Sequence, residues 1–275
     1  MPTATVPNAS LRYELEGRGD PTVLIHGSLS SHRVWEPVRR RLAPVLTVLA
    51  YDRRGHGESR GETRTHPVRD DTADLAALLE ALDLFPAHLI AHSYGGAVAL
   101  RLAVDRPEMV RSICLHEPPF VGLLEEDPAT APEAERLGAE ARAIESLVRA
   151  GQAPSAAARI FSALSTDETG GESLPTEART EMLRDFDRWV EEANDPDAMH
   201  PDRRLWTDLL IPVLLTTGER SPPWLHRIAA VVAQSLPNVS VQELPGVGHV
   251  PQRSDPDRFI ALVHGFLVER TVPST

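Results

Sequence analysis

The stretch Leu89-Ile-Ala-His-Ser-Tyr-Gly-Gly96 carries an apolar strand directly into a serine that stands between small residues. A strand that turns at once into a helix forces the serine into a strained backbone conformation, and bulky side chains two residues away would collide. Ala91 and Gly95 avoid those collisions, although glycine is usual at both positions. The turn leaves the Ser93 hydroxyl at the carboxyl end of the strand, beside the free N–H groups of the next helix. The pattern predicts that Ser93 is a nucleophile, and that those N–H groups can hold the oxyanion that develops on the attacked group.

Apolar runs and amphipathic segments alternate on both sides of this stretch. The predicted buried strands are 22–25, 45–51, 87–92, 110–115, 212–217 and 239–244, and the predicted helices are 33–42, 67–82, 95–104, 223–236 and 256–269. Residues 3–16 alternate in the manner of a hairpin. Strands that are apolar throughout are covered on both faces, and their alternation with helices favours a parallel sheet. The predicted fold class is α/β, with a mostly parallel sheet and helices on both faces.

The chain between 118 and 205 has a different pattern. Its segments are alanine-rich, charged and helical, they are broken by Asp-Pro, Ala-Pro and Thr-Gly-Gly, and no further parallel strand is predicted there. An all-helical insertion between two strands of one sheet is typical of a lid over the carboxyl edge. We therefore expect residues 1–117 and 206–275 to form the core, and 118–205 to form a helical cap inserted after the strand that ends near Glu117.

The composition excludes several classes of function. The formal net charge of the 275 residues is −12, and no basic stripe with interleaved aromatic residues is present, which argues against nucleic-acid binding. Because the sequence has arginine but no lysine, it excludes Schiff bases, Ser-Lys dyads and P-loop lysines. The single cysteine, Cys114, lies in an apolar run and is expected to be a buried structural thiol, so no metal or redox site is predicted.

The sequence also predicts where the protein acts. The N-terminus has no basic region followed by an apolar core, and no run approaches the roughly 18 apolar residues of a membrane span. We expect a cytoplasmic protein that does not bind membranes and acts on a small-molecule substrate as a monomer or homodimer.

Five short motifs, in chain order, resemble those of the α/β-hydrolase fold family, and the resemblance extends over essentially the whole chain. They are Ile25-His-Gly-Ser28, Asp52-Arg-Arg-Gly-His-Gly-Glu-Ser59, Ala91-His-Ser-Tyr-Gly95, Gly218-Glu219 and Gly248-His249. We call the strand-to-helix turn Ala91–Gly95 the elbow. The resemblance implies a triad of the elbow serine, an acid and a late histidine. His249 is the expected base, because it follows the last predicted strand in a glycine-rich loop that can bring its ring over the elbow.

The acid departs from the commonest pattern of the family. That acid often lies three residues beyond the glycine that follows the next-to-last strand, and here this position is Ser221, which cannot ionise. Glu117, which follows the strand next to that of Ser93, is then the expected acid, as in the zearalenone lactonases that this chain resembles in this respect. Glu219 is the alternative acid.

The remaining site residues are assigned by their place relative to these motifs. Backbone N–H groups of Tyr94 and Ser28 are the expected oxyanion hole, with Leu29 as an alternative donor. Candidate residues of the substrate pocket are Leu29, His32, Trp35, Phe161, Phe186, Trp189 and Trp206, and packing of cap against core is the alternative explanation of these aromatic residues. His26, His56 and His92 are expected to have structural roles, with His92 pointing to the opposite side of its strand.

A serine nucleophile makes hydrolysis of an ester or lactone the expected reaction, through an acyl-enzyme and without cofactor or metal. It excludes the epoxide hydrolase and dehalogenase branches of the family, which use aspartate at the elbow. Because the negative net charge disfavours anions at long range, the expected substrate is neutral and largely apolar. The same triad also serves C–C bond hydrolysis next to a carbonyl, or perhydrolysis. A ligand receptor of the same fold, working by lid closure, is the alternative outside enzymes.

Overall fold

The computed structural model describes residues 2–61, 67–164, 180 and 183–271, with side chains through 267. Within this part of the chain the strands are β1 (Thr3–Val6), β2 (Ala9–Gly17), β3 (Pro21–Ile25), β4 (Thr47–Tyr51), β5 (Arg60–Gly61), β6 (Ala87–His92), β7 (Val110–His116), β8 (Val213–Gly218) and β9 (Val239–Leu244). The helices are α1 (Glu36–Leu42), α2 (Pro67–Leu82), α3 (Tyr94–Asp105), α4 (Ala131–Arg149), α5 (Ala153–Leu164), α6 (Phe186–Ala193), α7 (Pro196–Met199), α8 (Pro223–Ser235), α9 (Pro251–Ser254) and α10 (Pro256–Thr271). Short 3-10 helices span His32–Trp35, Pro107–Met109, Val121–Leu124 and Arg203–Trp206.

The described strands form one sheet in the order β1-β2-β4-β3-β6-β7-β8-β9, with β5 paired to β2. The β1–β2 and β2–β4 pairs are antiparallel, and the pairs from β4 through β3 to β9 are parallel. Strands β6 and β8 are buried at every position, as expected of strands that are covered on both faces. The predicted fold class is confirmed.

Two layers of helices cover this sheet. Helices α2, α3 and α8 pack their apolar side chains on one face, around Ile25, Leu89 and Leu115. Helices α1 and α10 cover the other face, around Leu24, Ile90 and Cys114. Alternate residues of the same strands supply the two cores, because successive side chains of a strand point to opposite faces. No helix in the described part of the chain is both long and apolar enough to cross a lipid bilayer.

The regular elements described between β7 and β8 are helices, and they have a small core of their own. We call the described part of 118–205 the cap. Its core contains Ile144, Ala156, Ala157, Ile160 and Phe186. The boundaries of the cap as a separate unit remain a prediction.

Helix α1 begins later than predicted, and this changes where the candidate pocket residues His32 and Trp35 lie. The helix predicted from 33 begins at Glu36, and His32–Trp35 forms a 3-10 turn instead. Pro37 explains the shift, since it lacks an N–H and is tolerated in the first turn of a helix but not in its interior. The turn buries His32 and Trp35.

The register of the parallel strands brings their carboxyl ends together. His92 of β6 pairs with His116 of β7, and His116 pairs with Thr216 of β8. The residues that follow these strands therefore meet at one edge of the sheet. This edge is where the sequence predicts the site.

Candidate active site

Ser93 stands at a sharp turn between β6 and α3. Its backbone angles are φ 51° and ψ −124°, a sparsely populated region for a residue with a side chain. Two hydrogen bonds hold the turn: the Ser93 N–H donates to the His116 carbonyl at 2.9 Å, and the Gly96 N–H donates to the Ser93 carbonyl at 2.8 Å. The strained geometry that the sequence predicts for the elbow is therefore present.

The small residues around the elbow are needed because the loop after β3 packs closely on it. A Cβ at Gly95 would lie 2.5 Å from the Ile25 carbonyl oxygen, and a Cβ at Gly27 would lie 2.9 Å from the Ser93 Cβ. The constraint at position 95 thus comes from the neighbouring strand. The same close approach brings the backbone of the His26-Gly27-Ser28 loop next to the Ser93 side chain.

Glu117 and His249 form a buried pair at the same edge of the sheet. Glu117 Oε2 lies 2.7 Å from His249 Nδ1, and Glu117 Oε1 accepts the Gly218 N–H at 2.7 Å. Burial alone would raise the pKa of Glu117, but the neighbouring His116 and His249 and the Gly218 N–H outweigh it and hold the pKa well below its usual range. Glu117 is therefore a carboxylate that accepts the Nδ1–H of His249. A neutral His249 then has an unprotonated Nε2 that can accept a proton.

Glu219, the alternative acid, has a different partner. Its carboxylate Oε2 accepts the Gly246 N–H at 2.6 Å, and the residue is exposed. Ser221 is buried, and its Oγ has no hydrogen-bond partner among the described residues. Of these candidates, the structure brings Glu117 to His249, and it places the Glu219 carboxylate against the backbone of Gly246.

Two further histidines surround this pair. His92 Nε2 lies 2.7 Å from the His249 carbonyl oxygen, and the two rings are 4.7 Å apart. Burial, together with His249 and His116, lowers the pKa of His92 well below its usual value, so its neutral ring donates this hydrogen bond. The expected structural role of His92 is therefore a hydrogen bond that holds the backbone of the His249 loop over the end of β6. His116 Nδ1 contacts Thr216 Oγ1 at 2.9 Å, and its Nε2 lies 3.6 Å from Glu117 Oε2.

Ligand-type atoms of His116, Glu117 and His249 lie within 4.8 Å of one another. The distance of 2.7 Å between Glu117 Oε2 and His249 Nδ1 is that of a hydrogen bond. Two ligands of one tetrahedral zinc lie about 3.3 Å apart, given bonds of about 2.0–2.1 Å. The geometry of this pair therefore fits a hydrogen bond better than a shared metal ion.

The His26 and Asp52 motifs hold the loops beneath the elbow. His26 Nδ1 donates to the Gly27 carbonyl at 2.7 Å, and His26 Nε2 accepts the Arg53 N–H at 3.0 Å. Burial and the adjacent Arg53 lower the pKa of His26 well below its usual value, consistent with this neutral tautomer. Asp52 accepts the Glu58 N–H at 2.9 Å, which fixes the turn after β4.

The candidate pocket residues fall into separate groups. Phe186 is buried in the cap core, and Leu29, Phe161 and Trp189 pack against that core. Trp206 packs on Phe120, with ring centroids 5.3 Å apart. Leu29 has a positive φ of 52°, which turns the loop after Ser28 toward the cap.

His32 and Trp35 do not belong with those residues, and their assignment to the pocket is wrong. His32 Nδ1 lies 2.7 Å from Asp52 Oδ1, and its backbone N–H donates to the same oxygen at 2.8 Å. Trp35 is fully buried in the core beneath α10, with its ring 6.0 Å from that of Phe259. The 3-10 turn at 32–35 directs both side chains into the protein.

A buried ionic cluster between core and cap was not predicted. Arg53 and Asp71 of the core contact Arg188 and Glu192 of α6, and all four side chains are buried. Burial alone would raise the pKa of Glu192, but Arg53 and His56 hold it well below its usual range. Little in the sequence indicated this cluster, because Arg53 and Glu192 are 139 positions apart and charged helical residues are usually solvated.

Comparison with known proteins places this arrangement in a family. A family model described as the alpha/beta hydrolase family matches residues 22–262. The Mycobacterium tuberculosis protein Rv2715 is 27% identical over 281 residues, covering 96% of this chain and 80% of that protein. A thermophilic esterase from Thermogutta terrifontis has a TM-score of 0.79 at 24% identity, covering 98% of this chain and 97% of that one. The enol-lactonase from Burkholderia xenovorans LB400 has a TM-score of 0.75 at 19% identity, covering 97% and 100%.

The family match spans most of the chain, including both ends of the parallel sheet. This protein belongs to the α/β hydrolase family.

Proposed function

We propose that this protein is a serine hydrolase that cleaves neutral, largely apolar carboxylic esters or lactones. The observation that carries the proposal is the buried Glu117–His249 pair, with 2.7 Å between Oε2 and Nδ1, at the same sheet edge as the strained Ser93. Nucleophilic serine chemistry needs a base whose tautomer is fixed, and this pair leaves Nε2 of His249 as the acceptor.

The chemistry follows from these three side chains. His249 Nε2 takes the proton of Ser93 Oγ as the oxygen attacks the substrate carbonyl, and Glu117 stabilises the imidazolium that forms. His249 then gives the proton to the leaving alkoxide, which leaves an acyl-enzyme on Ser93. A water molecule, activated by His249 in the same way, attacks the acyl group and releases the acid.

The negative charge that develops on the carbonyl oxygen needs hydrogen-bond donors. We assign this role to the backbone N–H groups of Tyr94, at the start of α3, and of Ser28, in the loop that packs on the elbow. Each such donor is typically worth about 10²-fold or more in rate. Gly27 supports the assignment, because its missing Cβ allows the Ser28 loop to reach Ser93.

The preference for an apolar substrate is supported by the residues above this loop. Leu29 packs against the cap core together with Phe161 and Trp189, so an acyl or ring group that leaves the elbow toward the cap meets apolar side chains. The net charge of −12 further disfavours anionic substrates. Family members of the same fold include an esterase and an enol-lactonase, which supports hydrolysis of an ester or lactone bond.

Labelling and turnover test this proposal together. The wild-type protein is incubated with a fluorophosphonate probe and assayed with p-nitrophenyl esters of increasing acyl length and with neutral lactones. We expect labelling and burst release of p-nitrophenol, both lost in Ser93→Ala. Ser221→Ala is the matched control, because this buried serine lies in the loop after β8, and it should retain both.

Two results would contradict the proposal. A folded wild-type protein that is neither labelled nor active on any ester or lactone would favour a ligand receptor. Turnover confined to charged substrates would contradict the assigned substrate class, and turnover confined to C–C bonds next to a carbonyl or to perhydrolysis would contradict the assigned reaction.

A further inference from the structure

Arg53 is a fully buried arginine directly behind the loop that carries Ser28. Its Nε donates to the His26 carbonyl at 3.0 Å, and its Nη2 donates to the Gly27 carbonyl at 3.0 Å. The guanidinium carbon also lies 4.7 Å from the centre of the Tyr94 ring. One side chain therefore contacts both segments that supply the proposed oxyanion donors.

The contact with the Gly27 carbonyl fixes the direction of the Ser28 N–H. These two groups belong to one peptide unit, and in a trans peptide the C=O and the N–H point in opposite directions. Because Arg53 Nη2 and His26 Nδ1 both donate to the Gly27 oxygen, at 3.0 and 2.7 Å, that oxygen is held toward these two side chains. The Ser28 N–H is then held in the opposite direction.

Arg53 is itself held by carboxylates from two parts of the molecule. Its Nη1 lies 2.6 Å from Asp71 Oδ2 of α2 and 2.7 Å from Glu192 Oε1 of α6. Arg188 of α6 contacts the same two acids, at 3.0 Å to Asp71 and 3.8 Å to Glu192. Two buried arginines thus face two buried carboxylates, with one of each from the core and one of each from the cap. Removal of Glu192 would leave an excess positive charge beside Arg53.

We propose that Arg53 is a positioning residue that orients the Gly27–Ser28 peptide for the oxyanion hole, and that Glu192 of the cap holds Arg53 in place. This inference rests on the proposed acyl-enzyme chemistry. Its consequence is that the cap contributes to the chemical step, besides covering the substrate. Disturbing the contact between Arg53 and Glu192 should lower kcat more than it raises KM.

Three substitutions separate this role from simple docking of the cap. Arg53→Met removes the donors to both carbonyls, and Glu192→Gln removes the charge that holds Arg53. Arg69→Met is the matched control: Arg69 of α2 pairs with Asp197 of α7, so this variant also breaks an ion pair between core and cap, on the exposed surface. The measurements are kcat and KM on a p-nitrophenyl ester and the affinity for an alkylboronic acid, whose tetrahedral adduct with serine needs the oxyanion hole.

We expect kcat to fall about 10- to 100-fold in Arg53→Met, part of the loss typical of a deleted oxyanion donor. A loss of about 5- to 30-fold is expected in Glu192→Gln, where Arg53 is present but less firmly held. KM should change less than about threefold, boronate affinity should fall in parallel with kcat/KM, and Arg69→Met should stay within about twofold of wild type.

The conservative variant Arg53→Lys distinguishes positioning from charge balance. Lysine keeps the positive charge between the two carboxylates, but its ammonium is a point donor that lacks the fork needed to reach both carbonyls. Arg53→Lys should restore the melting temperature that Arg53→Met lowers, but its kcat should stay low. If Arg53→Met does not fold, Arg53→Lys and Glu192→Gln carry the test.

Several results would overturn the proposal. One is a folded Arg53→Lys or Glu192→Gln protein with kcat and boronate affinity within threefold of wild type; another is a loss confined to KM. Failure of the wild-type protein to react with the fluorophosphonate probe would instead count against the proposed function. In that case a crystal structure of Arg53→Lys tests the positioning role. An unchanged orientation of the Gly27 carbonyl would show that Arg53 does not set it.

Discussion

The substitution Glu117→Gln is the most direct test of Glu117 as the proposed acid. The new amide oxygen can still accept the Gly218 N–H, which Glu117 Oε1 now accepts at 2.7 Å, so the side chain should keep its place. The amide nitrogen would then face His249 Nδ1 and donate to it. His249 would carry its proton on Nε2 and could no longer accept one from Ser93. Activity would therefore be lost because His249 has the wrong tautomer, and the protein would still fold.

The magnitude follows from this change of tautomer. A triad whose acid becomes an amide loses about 10⁴-fold in kcat, which corresponds to about 5 kcal/mol of transition-state stabilisation. The assay is steady-state hydrolysis of a p-nitrophenyl ester, with the burst amplitude used to count active sites. Thermal unfolding is measured beside it to verify that the variant is folded.

The control is Glu219→Gln. Its carboxylate accepts the Gly246 N–H and has an exposed position, so we expect a change of less than about threefold. The reasoning would be refuted by a Glu117→Gln protein that keeps activity within tenfold of wild type. It would also be refuted by a Glu219→Gln protein that loses activity about 10³-fold.

Three further predictions concern packing and protonation. Gly27→Ala would place a methyl group 2.9 Å from Ser93 Cβ, so kcat/KM should fall about 10²-fold, whereas Gly265→Ala, whose methyl meets nothing within 4 Å, should leave it unchanged. Burial, aided by a nearby arginine, lowers the pKa of His88 to about 4. The unfolded chain takes up this proton below about pH 6.5 and the folded protein only below about 4, so stability falls as the pH falls between these values, by up to about 3 kcal/mol. Urea unfolding at pH 7 and 4.5 should show a weaker pH dependence in His88→Gln, and an unchanged dependence would contradict the assignment. Burial raises the pKa of the Cys114 thiol, so a thiol reagent should react with it only after denaturation, and rapid reaction of the native protein would be inconsistent with that burial.

The strands and the elbow were predictable because they depend on local pattern. Apolar runs such as 87–92 are long enough to cross a sheet buried on both faces, and the structure places β6 at those residues. The turn at Ser93 was predictable because only small neighbours fit it. Helix starts were less predictable, since Pro37 moves α1 to begin at Glu36.

The proposal of Glu117 as the acid, in place of Glu219, rests in part on the order of the strands along the chain. Ser221 cannot ionise, and the sequence offered a carboxylate directly after the strand next to that of Ser93. Parallel strands end at the same edge, so Glu117 could be expected near His249 without knowledge of the loops. The structure adds the contact itself, at 2.7 Å, and the Gly218 N–H that holds the other oxygen.

The sequence by itself determined the parallel sheet and the tight turn at Ser93, because these depend on periodicity and on steric limits within a few residues. Only the tertiary structure decided which side chains meet from distant segments. It placed His92 against His249, buried His32 and Trp35 in the core, and joined Arg53 to Glu192 of the cap. Such contacts depend on where loops and helices pack in space, and a one-dimensional pattern of polar and apolar residues does not encode those positions.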